Sequence, residues 1–289
     1  MVKPIQVVVT GASGFVAKNL RKYLSENDVN LISISRNNFR TYKNEQKIIS
    51  KDYKEKFILN KIKNSNALIH LVGIGKQSVE IDYEMINVEL TKHIVNLAKK
   101  AKIKKIVYNS GLGVSSKTSV GYFISKYKAE KIIVNSGLNY TIFRPSYIVG
   151  KDDLFTKFLK KQIKIKTIEI PGSGQYSIQP IFINDVVKIL FQSITEKKFG
   201  NKIIDLVGSE YLTFEKYVKL FCRGNKIKIK KVNLENAYYN AINNKKSNFG
   251  IDDLNILVGD FKGNYNQLEK ISQIKFESVV ELLKSGRLL

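Results

Sequence analysis

The feature that most constrains this chain lies at its start. A β-branched run, Ile5-Gln6-Val7-Val8-Val9, leads directly into Thr10-Gly11-Ala12-Ser13-Gly14-Phe15. An amphipathic stretch follows, with Phe15, Val16, Leu20 and Leu24 at helical spacing. Gly11-x-x-Gly14-x-x-Ala17 thus sits between a strand and a helix, the context such a motif needs. Gly11 permits a tight turn, Gly14 lets the backbone approach a pyrophosphate, and the small Ala17 lets helix and strand close up. The helix N-terminus offers free N–H groups and a positive dipole end to phosphates. Position, strand and helix agree, which favours a binding turn over a merely structural one. The expectation is a Rossmann-type unit holding a dinucleotide through the turn at 10–15.

Cofactor choice is read at the end of the second strand. An Asp or Glu there would bind the ribose 2′-hydroxyl and signal NAD. The chain has Ser33-Ile34-Ser35-Arg36-Asn37 instead, and Arg36 suits a 2′-phosphate. NADP is therefore the expected cofactor, with NAD the alternative and a plain surface arginine the bland reading.

Downstream, β-like and helix-like runs alternate. Strands are expected over 5–10, 31–35, 47–50, 67–72, 105–109 and 140–144, and helices over 13–26, 85–101 and 122–136. That alternation predicts an α/β fold with a doubly wound parallel sheet. After Gly150 the pattern loosens. It predicts a basic amphipathic helix over 154–166 and a turn at 171–174. A strand and helix follow over 181–191, opened by Asn184 and Asp185 as caps. Further on come a strand over 203–207, a helix over 213–221 capped by Thr213, a half-exposed strand over 226–232 and a last helix over 276–283. The expected organisation is a dinucleotide-binding Rossmann domain over 1–150 and a smaller C-terminal α+β substrate or lid domain over 151–289, with some segments returning to the sheet.

Composition narrows the class. Hydrophobic residues make up 43% of 289, enough for a core. One cysteine excludes an internal disulfide framework, and two histidines argue against a histidine-rich metal centre, so no metal is expected. No run approaches the length of a membrane span. The first strand begins almost at Met1, leaving no room for a signal peptide, so a cytoplasmic protein is expected. The net charge of +24 invites a nucleic-acid reading, but only six of the 49 cationic residues are arginine, and they are spread along the chain. A solvated lysine surface is favoured over a polyanion site; the field would still attract small anions.

Tyr122-Phe123-Ile124-Ser125-Lys126 opens a predicted helix, so Tyr122 and Lys126 share a face. An ammonium beside a phenol favours the phenolate and is expected to lower its pKa. The tyrosine would then exchange a proton at a carbonyl or carbinol while the cofactor carries hydride. An overlapping Tyr127-x-x-x-Lys131 copy shows how common such pairs are in this lysine-rich chain.

Order along the chain makes the pattern specific. His70-Leu71-Val72-Gly73, Asn87-Val88, Val107-Tyr108-Asn109-Ser110, Tyr122-x-x-Ser125-Lys126-x-x-Ala129-Glu130 and Arg144-Pro145-Ser146 follow the glycine turn in sequence. Gly172-Ser173-Gly174-Gln175-Tyr176, Gln179-Pro180-Ile181 and Asn184-Asp185-Val186-Val187 come after. Together this resembles the extended or atypical short-chain dehydrogenase/reductase superfamily, nearest the branch of the nucleotide-binding accessory subunit of respiratory complex I. The resemblance covers roughly 5–190. It implies that Thr10, Gly11, Ser13, Gly14 and Phe15 hold the pyrophosphate and that Arg36 meets the adenosine ribose phosphate. Leu71, Val72 and Gly73 would line the adenine–ribose path, Lys126 would bind the nicotinamide ribose, and Pro145, Ser146 and Tyr147 would flank the nicotinamide. Tyr122 would be the acid/base, favoured over Tyr127 by the Ser-Lys-x-x-Ala-Glu frame. A small-molecule substrate, an epimerase/dehydratase or oxidoreductase activity, membrane or respiratory-complex association and a monomer or homodimer are in keeping with it.

One departure matters. Active members place Ser or Thr one position after Ser110, and this chain has Gly111. Ser110, or Ser115 and Ser116, would have to supply the substrate hydrogen bond; otherwise the chain binds NADP(H) as a silent structural or sensing subunit. Other residues draw plainer expectations: His70 packed in the core, His93 at the surface, Cys222 a core thiol, and Asp52 either near the adenine or solvated. The 154–164 stretch is expected to act as a lid over the substrate cleft, with an anionic membrane surface as the alternative.

Overall fold

The computed structural model describes residues 4–244 and 247–288. The first half runs β1 (Gln6–Thr10), α1 (Phe15–Glu26), β2 (Asn30–Ser35), β3 (Glu45–Ile49), α2 (Lys56–Ile62), β4 (Ala67–His70), α3 (Leu90–Lys100), β5 (Lys105–Asn109), α4 (Gly121–Val134) and β6 (Asn139–Pro145). The second half follows with β7 (Ile148–Val149), α5 (Leu154–Lys164), β8 (Thr167–Pro171), β9 (Ser177–Ile178), β10 (Ile181–Phe182), α6 (Ile183–Thr195), β11 (Lys202–Leu206), β12 (Leu212–Thr213), α7 (Phe214–Phe221), β13 (Lys228–Val232), α8 (Leu234–Asn243), α9 (Ile251–Leu257), α10 (Tyr265–Ser272) and α11 (Val279–Lys284).

Seven strands form one parallel sheet in the order β11-β6-β5-β4-β1-β2-β3. Its central strands are buried on both faces, which is why Val7-Val8-Val9 and Ala67-Leu68-Ile69 read as unbroken apolar runs. Helices α1, α6 and α10 cover one face through Leu20, Leu24, Val186, Leu190 and Leu268. Helices α2, α3 and α4 cover the other through Ile58, Ile62, Ile94, Ala98, Ala129 and Ile133. Strand order reverses between β1 and β4, and in open α/β sheets the cleft at that point takes the ligand. The chain beyond Gly150 supplies β11 to this sheet and α6 to its face. The remainder packs as a third cluster, with α5, α7 and α11 around the parallel β8–β13 pair through Leu159, Ile168, Ile170, Val218 and Leu283.

Several expected boundaries shift for identifiable reasons. The weak third strand begins earlier, at Glu45, whose carboxylate is anchored by Arg21. The long helix expected over 85–101 opens with a π-helical turn, Glu84–Glu89, before α3. Asn184 and Asp185 do not cap α6: Phe182 is its N-cap residue, without a side-chain cap. Asp185, fully buried in the first turn, instead accepts from Glu277 N at 2.8 Å and ties down the tail. Thr213 does cap α7, accepting from Lys216 N. The last helix starts at Val279, behind the capping Ser278.

Candidate functional site

The cleft at the strand reversal begins with the glycine turn. Gly11 has φ +73°, and a Cβ there would lie 2.9 Å from the Leu71 carbonyl carbon, so two loops meet where only glycine fits. Gly14 opens α1 with no side-chain cap, and no carboxylate lies in the first turn. Its N–H groups are thus left to a ligand, which is what a pyrophosphate cradle requires. Ser13 and Gly14 are exposed on the groove, and Ser13 Oγ is 2.8 Å from Ser35 Oγ. The groove, about 210 Å³, continues past Arg36, Lys51 and Tyr53 on one side and Leu71, Val72 and Gly73 on the other. No carboxylate is among the described residues that line it. These features fit a dinucleotide.

Two residues expected at the pyrophosphate lie elsewhere. Thr10 is fully buried beneath the turn, its hydroxyl 2.7 Å from His70 Nδ1. Phe15 is half-buried, with its ring against Gly150, where a Cβ would come within 2.9 Å of Cζ. Asp52 does not reach the groove; it is exposed and pairs with Lys54 at 3.5 Å, while its neighbours Lys51 and Tyr53 line the wall.

A brace behind the turn has no motif to announce it. Arg21 on α1 is 1% exposed. It donates to Ala12 O at 2.8 Å, inside the glycine turn, and to Glu45 Oε2 at 2.9 Å on β3. Burial alone would raise the Glu45 carboxyl, but the hydrogen bonds from Arg21 and the Tyr42 amide outweigh it and hold the group low. Arg21 also lies under the Phe39 ring, 4.2 Å from its centre. It fixes the turn to the β2–β3 connection that carries Arg36.

The floor between turn and Lys126 is a buried polar network. The Thr91 hydroxyl donates to Asn87 O at 2.7 Å, so its oxygen accepts from His70 Nε2 at 3.1 Å. His70 Nδ1 then accepts from Thr10, which sets the neutral tautomer. Burial, and secondarily the Lys126 charge, push His70 down to about 3. His70 stacks on Tyr108, and Tyr108 OH accepts from Lys126 Nζ at 3.2 Å. Asn87 Nδ2 donates to Ser125 Oγ at 3.0 Å and Ile74 N donates to Asn87 Oδ1 at 2.9 Å, joining the groove rim to α4. His70 is the packed histidine expected. His93 is not free at the surface: it is half-buried, with Nε2 3.0 Å from Tyr53 O.

Lys126 is buried and donates to Tyr108 OH and, at 3.3 Å, to Asn109 O. An ammonium has three donors, which leaves one for a ligand. A Cβ on Gly73 would sit 2.7 Å from Nζ, so the ammonium stands where the groove ends. Burial lowers Lys126 to about 8. The expected depression of Tyr122 is absent. Lys126 Nζ is 5.9 Å from the Tyr122 ring centre and bonded elsewhere, and burial pushes the phenol up to about 12.

Beyond Lys126 the cleft opens into a chamber of about 170 Å³. Ser110, Gly111, Tyr122, Pro145, Ser146 and Tyr147 line it together. Ser110 Oγ is buried without a hydrogen-bond partner. A Cβ on Gly111 would sit 3.3 Å from Tyr122 OH, so the phenol occupies the space a larger residue would need. Ser115 and Ser116 are exposed and do not line the chamber. Nor is α5 its lid. The cover comes from Ile256 and Leu257 of α9 and from Phe261, whose ring packs on Phe123 at 5.1 Å. A run as short as α9 gives no usable period, and only the flanking Gly259 and Gly263 mark the Phe261 loop in sequence. Cys222 is buried, as expected of a core thiol.

Comparison with known proteins agrees with this fold. The profile of the NAD dependent epimerase/dehydratase family matches residues 7–206. The mitochondrial NADH dehydrogenase [ubiquinone] 1 alpha subcomplex subunit 9 of Mus musculus is 25% identical over 161 residues, 54% of this chain and 43% of that protein. Its Dictyostelium discoideum counterpart is 25% identical over 166 residues, 56% and 45% of the two chains. The chain thus spans less than half the length of these relatives. Among solved structures, MoeE5 in complex with UDP-glucuronic acid and NAD superposes with a TM-score of 0.79 at 15% identity, over 98% of this chain and 97% of that one. UDP-glucuronic acid 4-epimerase from Bacillus cereus, with UDP-glucuronic acid and NAD, gives 0.77 at 15% identity over 98% of both chains. Fold, glycine turn and matched profile coincide over the same residues, and the chain belongs to the NAD dependent epimerase/dehydratase family.

Proposed function

We propose that the chain is an NADP(H)-dependent oxidoreductase or epimerase/dehydratase-like enzyme in which Tyr122 exchanges a proton with a substrate carbonyl or carbinol. The observation that carries this is the placement of Lys126 Nζ, 2.7 Å from a Gly73 Cβ position and bonded to Asn109 O. It joins the dinucleotide groove to the chamber of Tyr122 and Ser110. Arg36 and Lys51, on a groove with no carboxylate among its described lining residues, support NADP(H) over NAD(H). Bound there, the dinucleotide supplies hydride exchange. Ser13, Gly14 and the α1 N-terminus hold its phosphates, and Lys126 offers its free donor to the ribose. The partnerless Ser110 Oγ is available to the substrate oxygen in place of the hydroxyl that Gly111 lacks. Tyr122, pushed up to about 12 by burial, is protonated at neutral pH and so carries the proton that a substrate oxygen would receive.

Gly111 favours a second reading: a silent NADP(H)-binding subunit, in keeping with the respiratory-complex relatives. NADPH consumption against a panel of ketones, with Tyr122→Phe as control, separates the two. The enzyme reading expects Tyr122→Phe to lose about a hundredfold or more in turnover with NADPH affinity unchanged. An unchanged rate removes Tyr122 from the chemistry. Tight NADPH binding with no consumption by any ketone selects the silent subunit.

A further inference from the structure

The chamber at Tyr122 does not end the cleft. A second cavity, about 320 Å³, adjoins it and shares Tyr147, Ile256 and Leu257 as common walls. Its other walls are mainly aromatic: Phe155 and Phe158 of α5, Phe214 of α7, and Phe249, which meets Phe158 edge-on at 5.6 Å. Leu154 stands at its margin with 84% of its surface exposed, an apolar side chain left to water unless a ligand covers it. Although the chain carries 49 lysines and arginines, none is among the described residues lining either cavity. The one carboxylate there is Asp253.

The backbone positive ends nearby are already filled. Asp153 caps α5, accepting from Thr156 N and Gly150 N at 2.9 Å each. Asp253 accepts from Gly250 N at 2.8 Å at the start of α9. This is the reverse of α1, whose N-terminus faces the dinucleotide groove uncapped. A diphosphate entering the paired cavities would give up its hydration and find, among the described lining residues, no cation, the α5 and α9 starts already capped and a resident carboxylate, an expensive burial; the Lys76 ammonium stands outside this lining, beside Gly250.

Resting on the reading of Tyr122 above, we infer that the substrate is a neutral, largely hydrocarbon or aryl ketone, or the matching secondary alcohol, and not a nucleotide-linked sugar. Its oxygen lies between Tyr122 and Ser110, where the polar groups are uncharged hydroxyls, and its tail fills the aromatic cavity past Tyr147. In the reductive direction the carbonyl carbon gains a hydride from the reduced dinucleotide and the oxygen gains the Tyr122 proton. The carbonyl π bond breaks, new C–H and O–H bonds form, and the phenolate left behind takes a proton from water. The cavity lies at the low end of the roughly 300–1,000 Å³ range of small-molecule sites, so one such tail fills it.

The test is a displacement assay that needs no turnover. Nile red, a neutral apolar dye, reports occupancy of the aromatic cavity; methyl nonyl ketone and UDP-glucose compete; NADPH affinity is measured separately on the same samples. The ketone is expected to displace the dye and UDP-glucose to leave it in place. Leu154→Asp, at an exposed helix-start position that tolerates a carboxylate, is expected to weaken the ketone about tenfold, about 1.4 kcal/mol, without changing NADPH affinity. Phe158→Asp, one turn further along the same helix, is expected to do the same. Displacement by UDP-glucose at a lower concentration than the ketone, or no displacement by the ketone, overturns the inference. So does full ketone affinity in both folded variants. A failure of NADPH to bind strikes the reading of the groove instead, and an unchanged rate in Tyr122→Phe strikes the reading of Tyr122; both are read separately from the dye.

Discussion

One cleft crosses this molecule with differently built ends. At the glycine turn, Arg36 and Lys51 stand on the wall, α1 presents an uncapped N-terminus and no described lining residue is acidic. Past Tyr147, phenyl rings replace the cations, and the neighbouring helix starts are closed by Asp153 and Asp253. A net charge of +24 therefore does not decide what either end binds. Local placement does, because charge acts strongly only over roughly 10 Å in salt, and whether a helix N-terminus is capped decides whether it can take an anion. The difference teaches that fold kinship, which runs through both ends, does not by itself carry the substrate across: the lining of each end must be read separately.

The largest expected effect falls on the first end alone. Arg21→Met leaves Glu45 buried without its partner and frees the Ala12 carbonyl in the turn. Breaking a buried pair costs about 3–5 kcal/mol, so a marked fall in Tm by calorimetry is expected. Below that Tm, NADPH should bind more weakly while the ketone competes with Nile red as in the parent. Adding Glu45→Leu should return much of the stability, since it removes the stranded charge. If ketone and NADPH affinity fall together, the two ends are coupled more tightly than their separate walls suggest.

The two ends were also unequally legible. The glycine turn, the Tyr122/Lys126 pair and the parallel strands were readable because each is encoded within a few residues, by periodicity or by a motif that sterics demand. Leu71, Val72, Gly73, Arg36 and the residues from Pro145 to Tyr147 line the cleft. What failed depends on distant partners. Asp52 lost its place to Lys51 and Tyr53 because the turn after β3 aims its neighbours inward. The chamber at Tyr122 is covered by α9 and Phe261, while 154–164, with Leu159 in the C-terminal core, turns Leu154, Phe155 and Phe158 to the adjoining cavity instead. A lowered Tyr122 pKa presumed that sharing a helix face brings Lys126 to the phenol; strand β5 claims the ammonium through Tyr108 and Asn109.

The joint between the ends gives a pH signature of intermediate size. His70 is fully buried, faces Thr10 and Thr91, stacks on Tyr108 and feels the Lys126 charge; it falls to about 3 from an ordinary 6.5. The unfolded chain binds this proton below pH 6.5 while the native state does so only near 3. The neutral histidine's contribution is therefore complete above 6.5 and is lost as pH falls toward 3. Between pH 6.5 and 5, above the ordinary carboxylate range, the loss amounts to about 1–2 kcal/mol. Urea unfolding across that interval should show the slope in the parent and lack it in His70→Gln. Equal slopes would place the proton uptake elsewhere.

The smallest effect bears most directly on the contrast between the ends. Arg36 is exposed, and its neighbour on the same wall is Lys51, so its removal leaves the fold and one cation in place. A charge-assisted hydrogen bond to a 2′-phosphate is worth about 1.5–3 kcal/mol before screening, and the exposed setting puts the result at the low end. Arg36→Ala should weaken NADPH about tenfold by fluorescence titration and leave NADH unchanged. The ketone should compete with Nile red as before, because no cation enters its site. Equal weakening of NADPH and NADH would move Arg36 to the shared pyrophosphate. No change in either would make it a surface arginine, leaving Lys51 and the α1 N-terminus to account for the anionic end by themselves.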